Sequence, residues 1–166
     1  MNDYMDLYND EQEDDVDLQH MKFLTFILDN RTFALPIKDV IEIIEVQDAM
    51  PVPEFPDYVK GIINTKGRVV PVIDMRLRFQ LEEAEYTERT CIVICSICSV
   101  EIGFVVDTVE AVISLEEDMM APPPAITTDK VTRYITGVAK YEDDLVIILD
   151  AKKILDEKGL NLVSGM

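Results

Sequence analysis

YVKGIINTKGRVVPVIDMRLRF, residues 58–79, is the stretch from which the fold can be read. Two apolar runs, Ile62-Ile63 and the β-branched segment 69–73, flank Asn64-Thr65-Lys66-Gly67. Asn suits the first position of a type I turn and Gly the last, so these four residues predict a turn between two antiparallel strands. Such a hairpin pushes Thr65 and Lys66 out of a sheet that is otherwise buried. Asp74 then stands in the N-cap position of a short helical segment, 75–79, which carries Arg76 and Arg78.

Working upstream, FLTFIL (23–28) reads as a buried strand, Asp29-Asn30 as a turn and 32–37 as the returning strand. Residues 38–46 carry Val40, Ile41, Ile43 and Ile44, a β-branched composition that suits either a short helix or an extended edge. Pro51, Pro53 and Pro56 enforce a loop ahead of the hairpin. Downstream, the acidic segment 80–88 breaks the apolar pattern and marks a link. Strands follow at 90–97, 103–107 and 109–115, then a stiff proline loop at 121–124. A last hairpin, 135–141 and 145–149, turns around Glu142-Asp143-Asp144, and a short helix over 150–158 is stopped by Gly159.

The chain contains a weak internal repeat. Residues 58–79 align without gaps on 134–155, so that Tyr58 meets Tyr134, Gly61 meets Gly137, Val70 meets Val146 and Asp74 meets Asp150. Residues 33–44 align on 102–113, with Val40 on Val109 and Ile44 on Ile113. The shared order favours duplication of a unit of four or five short strands plus a helical turn. Short strands separated by turn signals predict a mainly β protein of two small packed barrels. The link divides the chain into subdomains 21–88 and 89–158, with exchange of strands between them left open, flanked by tails 1–20 and 159–166.

Of 166 residues, 33 are acidic and 15 basic, a net charge of −18. That balance argues against a nucleic-acid partner, which calls for a basic face, and against an anionic membrane surface. No segment approaches the ~20 apolar residues of a membrane span, and the first twenty lack the regions of a signal peptide, so a cytoplasmic location is expected. Residues 1–20 hold eight acids and no Lys or Arg, a composition that predicts a disordered tail.

Candidate chemistry is sparse. Cys91, Cys95 and Cys98 match the C-x3-C-x2-C spacing of an iron–sulfur ligand set, but Cys91–Cys95 reads as a strand, where ligands do not converge as they do from a loop. Small buried hydrophobes are the better reading. His20, the single histidine, falls at the end of the acidic tail and reads as linker, so no Ser/His/Asp or Cys/His set can be assembled. Asp143 and Asp144 read as turn residues, and no Gly-rich phosphate loop occurs. No catalytic residue, metal site or cofactor is therefore expected. Lys66 is either an ordinary turn residue or a cation that a rigid hairpin presents to an acidic partner.

The stretch 61–76 resembles the signature of the CheW family of chemotaxis coupling proteins, roughly G-x-x-N-L-R-G-x-x-x-P-x-x-D-L-R. It matches at Gly61, Asn64, Gly67, Pro71, Asp74 and Arg76, and departs at Thr65 and Lys66, where the family has Leu and Arg. The resemblance extends over about 22–155. It implies two five-stranded SH3-like β-barrels sharing one core, and a non-catalytic adaptor that couples methyl-accepting chemoreceptors to the regulatory domain of the histidine kinase CheA, in receptor arrays at the inner membrane. It places Lys66 at the receptor-contacting arginine, Val40 and Glu42 at the receptor groove, and Thr90 and Cys91 near it, with Gly61, Asn64 and Gly67 framing the hairpin. Kinase-binding residues are not carried over. The alternatives are a CheW-like adaptor of another kinase pathway and a small-ligand-binding protein with a cleft between the barrels.

Overall fold

The computed structural model describes residues 20–123 and 132–155. The expected acidic tail up to residue 19, most of the last residues of the proline loop's surroundings (124–131), the end of the final helix and the tail 159–166 lie outside the described residues. His20 does not belong to a linker: its backbone is the first residue of β1 (His20–Leu28) and pairs with Glu116.

Two-residue turns organise the first layer of structure. β1 returns as β2 (Arg31–Pro36) through Asp29-Asn30, whose φ angles are 54° and 63°. A 3-10 turn, Ile37–Asp39, leads into β3 (Val40–Glu45), so the extended reading of this segment is the one found. β4 (Val59–Thr65) and β5 (Arg68–Asp74) are joined by Lys66 and Gly67 alone, at φ 54° and 79°. This corrects the four-residue type I turn expected at Asn64–Gly67. Two successive left-handed residues make a type I′ turn, whose twist matches that of the strands, whereas type I would splay them. Thr65 accordingly ends β4 opposite Arg68 and is buried, while Lys66 takes the tip.

Asp74 caps α1 (Met75–Arg78), accepting hydrogen bonds from the Arg76 amide at 2.9 Å and the Leu77 amide at 3.3 Å. It also accepts one from the Tyr86 hydroxyl at 2.7 Å, which pins the acidic link to the β4–β5 hairpin. Beyond the link lie β6 (Cys91–Ile97), β7 (Val100–Val106), β8 (Thr108–Glu116), a 3-10 turn, the two-residue β9 (Met120–Ala121), β10 (Ile135–Tyr141), β11 (Asp144–Leu149) and α2 (Ala151–Ile154), capped by Asp150.

The protein is mainly β, in two curled sheets of strand order β8-β1-β2-β11-β10-β9 and β3-β6-β7-β5-β4. The pairings cross the link near residues 88/89. The hairpin β1–β2 sits with β8, β10 and β11, whereas β6–β7 sits with β3, β4 and β5. Each repeat thus lends its leading hairpin to the other's sheet, and the parallel pairs β2–β11 and β5–β7 are the seams of the exchange. The repeat offsets hold strand by strand: shifted by them, the bounds of β2 fall on β7, β3 on β8, β4 on β10, β5 on β11 and α1 on α2. The first sheet has a sixth strand, β9, where five were expected.

Burial explains why the strands read as continuous apolar runs rather than alternating ones. Leu24, Phe26, Phe33, Val93, Phe104 and Leu149 face a core shared by both sheets. The opposite faces fill two smaller cores, one around Phe23, Ala34 and Ile148, the other around Val70, Ile92 and Val105. Strands covered on both faces have no polar side to show. A chain of rings, Phe26–Phe33–Phe79–Tyr134, runs through the shared core with centroids 5.9, 5.9 and 5.2 Å apart.

Arg78 is buried at the relation between the repeats. Its guanidinium lies between the equivalent rings of Tyr58 (4.5 Å) and Tyr134 (4.8 Å), and its Nε donates to the carbonyl of Ile154, the residue that is its own repeat equivalent. Cation–π contacts of ~1–2 kcal/mol when desolvated offset the cost of burying this charge.

Candidate functional site

The sheet order places β3 and the β4–β5 hairpin at opposite ends, yet their side chains meet, because the sheet curls back on itself. Lys66 Nζ, on the turn, donates to Glu42 Oε2 of β3 at 3.0 Å. Arg68 Nη2, at the start of β5, donates to Glu42 Oε1 at 2.5 Å, and its Nη1 donates to Glu101 Oε1 of β7. Two cations and two carboxylates from three strands and a turn therefore form one cluster. Lys66 and Glu42 differ sharply in access, with side chains 72% and 15% exposed. Burial pushes the Glu42 carboxyl up, but its hydrogen bonds from Lys66 and Arg68 outweigh this and hold it below its usual pKa. The arrangement offers an outside partner one solvent-facing ammonium above a largely covered carboxylate.

The other expected site residues are distributed differently. Val40 is 4% exposed, packed into the shared core and paired with Cys95. Thr90 is 7% exposed, and its hydroxyl accepts from the Thr87 amide at 2.8 Å. Cys91 is half-buried opposite Glu45, at the far end of β3 from Val40, and its thiol, pushed up mainly by burial, donates to the Arg89 carbonyl at 3.2 Å. Asn64 is exposed on β4 beside the turn. Gly67 supplies the second left-handed residue of the turn. Gly61 does something the sequence did not reveal: at φ 145° it lets the backbone of Met50 cross β4, bridging Ile62 with hydrogen bonds of 2.8 and 2.9 Å. Gly137 admits β9 in the same way, its virtual Cβ lying 2.8 Å from the Ala121 carbonyl.

Sequence reasoning missed Arg68 and Glu101, whose partners are 26 and 33 residues away with no spacing rule to connect them. It also missed Asp107, which ties α1 to two other corners of the fold. Asp107 takes a bidentate contact from Arg76, Nε at 2.9 Å and Nη2 at 2.7 Å, and accepts from the Asp29 amide at 2.9 Å. Burial pushes its carboxyl up, but these bonds prevail and hold it below the ordinary 3.8. A depressed carboxylate contributes stability above its unfolded pKa and loses it as pH falls through the folded value. Asp107→Asn should therefore lower stability at pH 7 by about 1 kcal/mol, discounted for partial exposure, with the gap to wild type closing below about pH 4. Urea unfolding at pH 7 and pH 3 measures it; a gap as large at pH 3 as at pH 7 would contradict the ion pair.

Cys91, Cys95 and Cys98 do not converge: the first is half-buried, the second buried, and the third exposed on the β6–β7 turn at φ 51°. Among the described residues no group of three or more His, Cys, Asp or Glu is placed to hold a metal ion. A surface pocket of about 240 Å³ lies between Val46, Ala49, Val72 and Val105, with Asp48, Lys60 and Tyr86 at its rim. It falls short of the roughly 300–1,000 Å³ of ordinary small-molecule sites. No described helix is long and apolar enough to cross a membrane.

Two interlocked curled sheets, with a charged cluster displayed on a surface turn, define a mainly β domain built from two repeats. The CheW-like domain family matches residues 22–159, and the chain belongs to that family. It is 30% identical to the chemotaxis protein CheW of Klebsiella aerogenes over 87% of either chain, and 32% identical to that of Bacillus subtilis over 82% of this chain and 88% of the relative. Its fold is similar to the scaffolding protein TtCheW of Thermoanaerobacter tengcongensis, with a TM-score of 0.77 at 32% identity, covering 84% of this chain and 94% of the other.

Proposed function

We propose that this protein is a non-catalytic chemotaxis adaptor that couples methyl-accepting chemoreceptors to the histidine kinase CheA. The observation that carries the reading is the similarity to CheW proteins and to a CheW scaffolding protein over nearly the whole domain, both repeats included. The mechanism is bivalent docking with no bond made or broken. One surface engages the kinase's regulatory domain. Another takes the helical tip of a receptor, with Lys66 offering its ammonium to a receptor carboxylate and Glu42 orienting it. Cys91 lies at the margin of that contact, and buried Val40 and Thr90 shape the strands beneath it. Gly61, Asn64 and Gly67 frame the turn. Signalling contacts of this kind bury about 1,200 Å² or less, and linking several in an array supplies avidity that no single contact has. The setting is the cytoplasm, beside receptor arrays at the inner membrane, and no cofactor takes part.

Calorimetric titration with the regulatory domain of the same organism's CheA tests the reading. Saturable one-to-one binding is expected. The relatives also include the protein FrzA of Myxococcus xanthus, 25% identical over 81% of this chain. A folded sample that ignores CheA would favour the alternative reading, a CheW-like adaptor of another kinase pathway.

A further inference from the structure

We propose that Arg68 is the residue that holds Glu42, and that this leaves Lys66 free to pass from Glu42 to a carboxylate of the receptor; Arg68 is thus a positioning residue for receptor contact. The inference rests on the receptor-binding reading of the turn given above.

Geometry assigns the two cations different tasks. Arg68 is two-thirds covered and spans two acids with one planar group, Nη2 on Glu42 and Nη1 on Glu101. That fork is rigid, and each bond it makes costs little further ordering. Lys66 meets the other oxygen of Glu42 with a single contact at 3.0 Å, at the end of a long, 72% exposed side chain. Exposed pairs of this sort are worth little and are readily exchanged. The backbone of Lys66, by contrast, is set by the type I′ turn, so the ammonium always starts from the same place.

The exchange would be costly without Arg68. Glu42 is 15% exposed, and a carboxylate so placed cannot be left without a countercharge when Lys66 departs. A partner acid would then compete with Glu42 for the only cation. With Arg68 on the second oxygen, Glu42 keeps a charge-assisted hydrogen bond throughout, and Lys66 moves over a small distance between two carboxylates. The bidentate fork missing from the turn tip, where the family signature has arginine, is thus present two residues further on.

The test uses the full chain, with the Glu42 side-chain carboxyl titrated by NMR and a receptor-tip fragment titrated by calorimetry. In the free protein, Arg68→Gln should move the Glu42 carboxyl up even though Lys66 still contacts it. Arg68→Gln should also weaken fragment binding about tenfold with Lys66 intact, and Arg68→Lys, which keeps the charge without the fork, should fall between. Fragment binding should leave Glu42 depressed in wild type and raise it in Arg68→Gln, a readout that a purely structural role does not move. The proposal is overturned if Arg68→Gln leaves the Glu42 carboxyl where wild type has it, or if Arg68→Gln binds the fragment as wild type does. Wild-type protein that fails to bind any receptor fragment sinks the coupling reading and the transfer with it, while the free-protein titration still decides whether Arg68 holds Glu42.

Discussion

Lys66→Glu should abolish receptor binding, a loss of more than about 100-fold, while the protein should melt within about 3 °C of wild type. The loss has two parts. The ammonium that the proposed contact offers to a partner's carboxylate is gone, and a carboxylate stands in its place beside Glu42, in a cluster whose two acids were matched by two cations. Like charges juxtaposed across an interface cost several kcal/mol, and every ~1.4 kcal/mol is tenfold in affinity. The fold survives because Lys66 is exposed and contributes one surface pair, while Arg68 continues to hold Glu42; surface substitutions of this kind stay near ±0.5 kcal/mol. Calorimetry with a receptor-tip fragment, alongside a thermal melt, measures both halves. Unchanged affinity in a folded mutant would remove Lys66 from the site.

Gly61→Ala has the opposite signature, loss of the fold ahead of any contact. A Cβ at this position lies 2.1 Å from the Met50 carbonyl oxygen and 2.5 Å from its carbon, and both are backbone atoms held by the bridge to Ile62. Nothing flexible can give way. The φ of 145° is itself closed to residues with a side chain. Clash and backbone strain together should cost about 4 kcal/mol, against a typical total stability of 5–15, and lower the melting temperature by about 10 °C. Gly67→Ala is the control. Its φ of 79° is also left-handed, but open space surrounds the new methyl, so only the conformational cost of about 1–2 kcal/mol applies. Equal losses for the two variants would mean that Met50 does not cross β4 as described.

Gly61 also shows what kind of information the sequence withholds. As a member of the signature it reads as a hairpin residue, and its repeat partner Gly137 strengthens the match, but the reason for both is backbone from elsewhere that pairs closely alongside: Met50 in one case, β9 in the other. The same holds for the charged cluster. Lys66 could be picked out because a tight turn announces itself locally and puts a side chain in solvent. Glu42 came from the family resemblance, and Arg68 escaped notice because an arginine opening an apolar strand looks like any solvated end residue. Val40 and Thr90 matched family positions whose burial comes from tertiary packing that the local pattern does not show.

The type of fold and its main elements follow from local chemistry. β-branched runs bounded by turn residues specify the strands, Asp74 and Asp150 specify two capped helical turns, and the gapless repeat specifies that the units come twice. Those signals act over a few residues, which is why they are visible along the chain. Which hairpin joins which sheet is another matter. The exchange of β1–β2 and β6–β7 between the repeats, the parallel seams β2–β11 and β5–β7, and the curl that brings Glu42 to Lys66 and Arg68 are settled by burying both faces of the strands in one shared core. Two similar repeats present nearly the same edges, so local pairing preference does not discriminate between self and exchanged partners. The packing of the whole does, and with it the position of every charged group at the site.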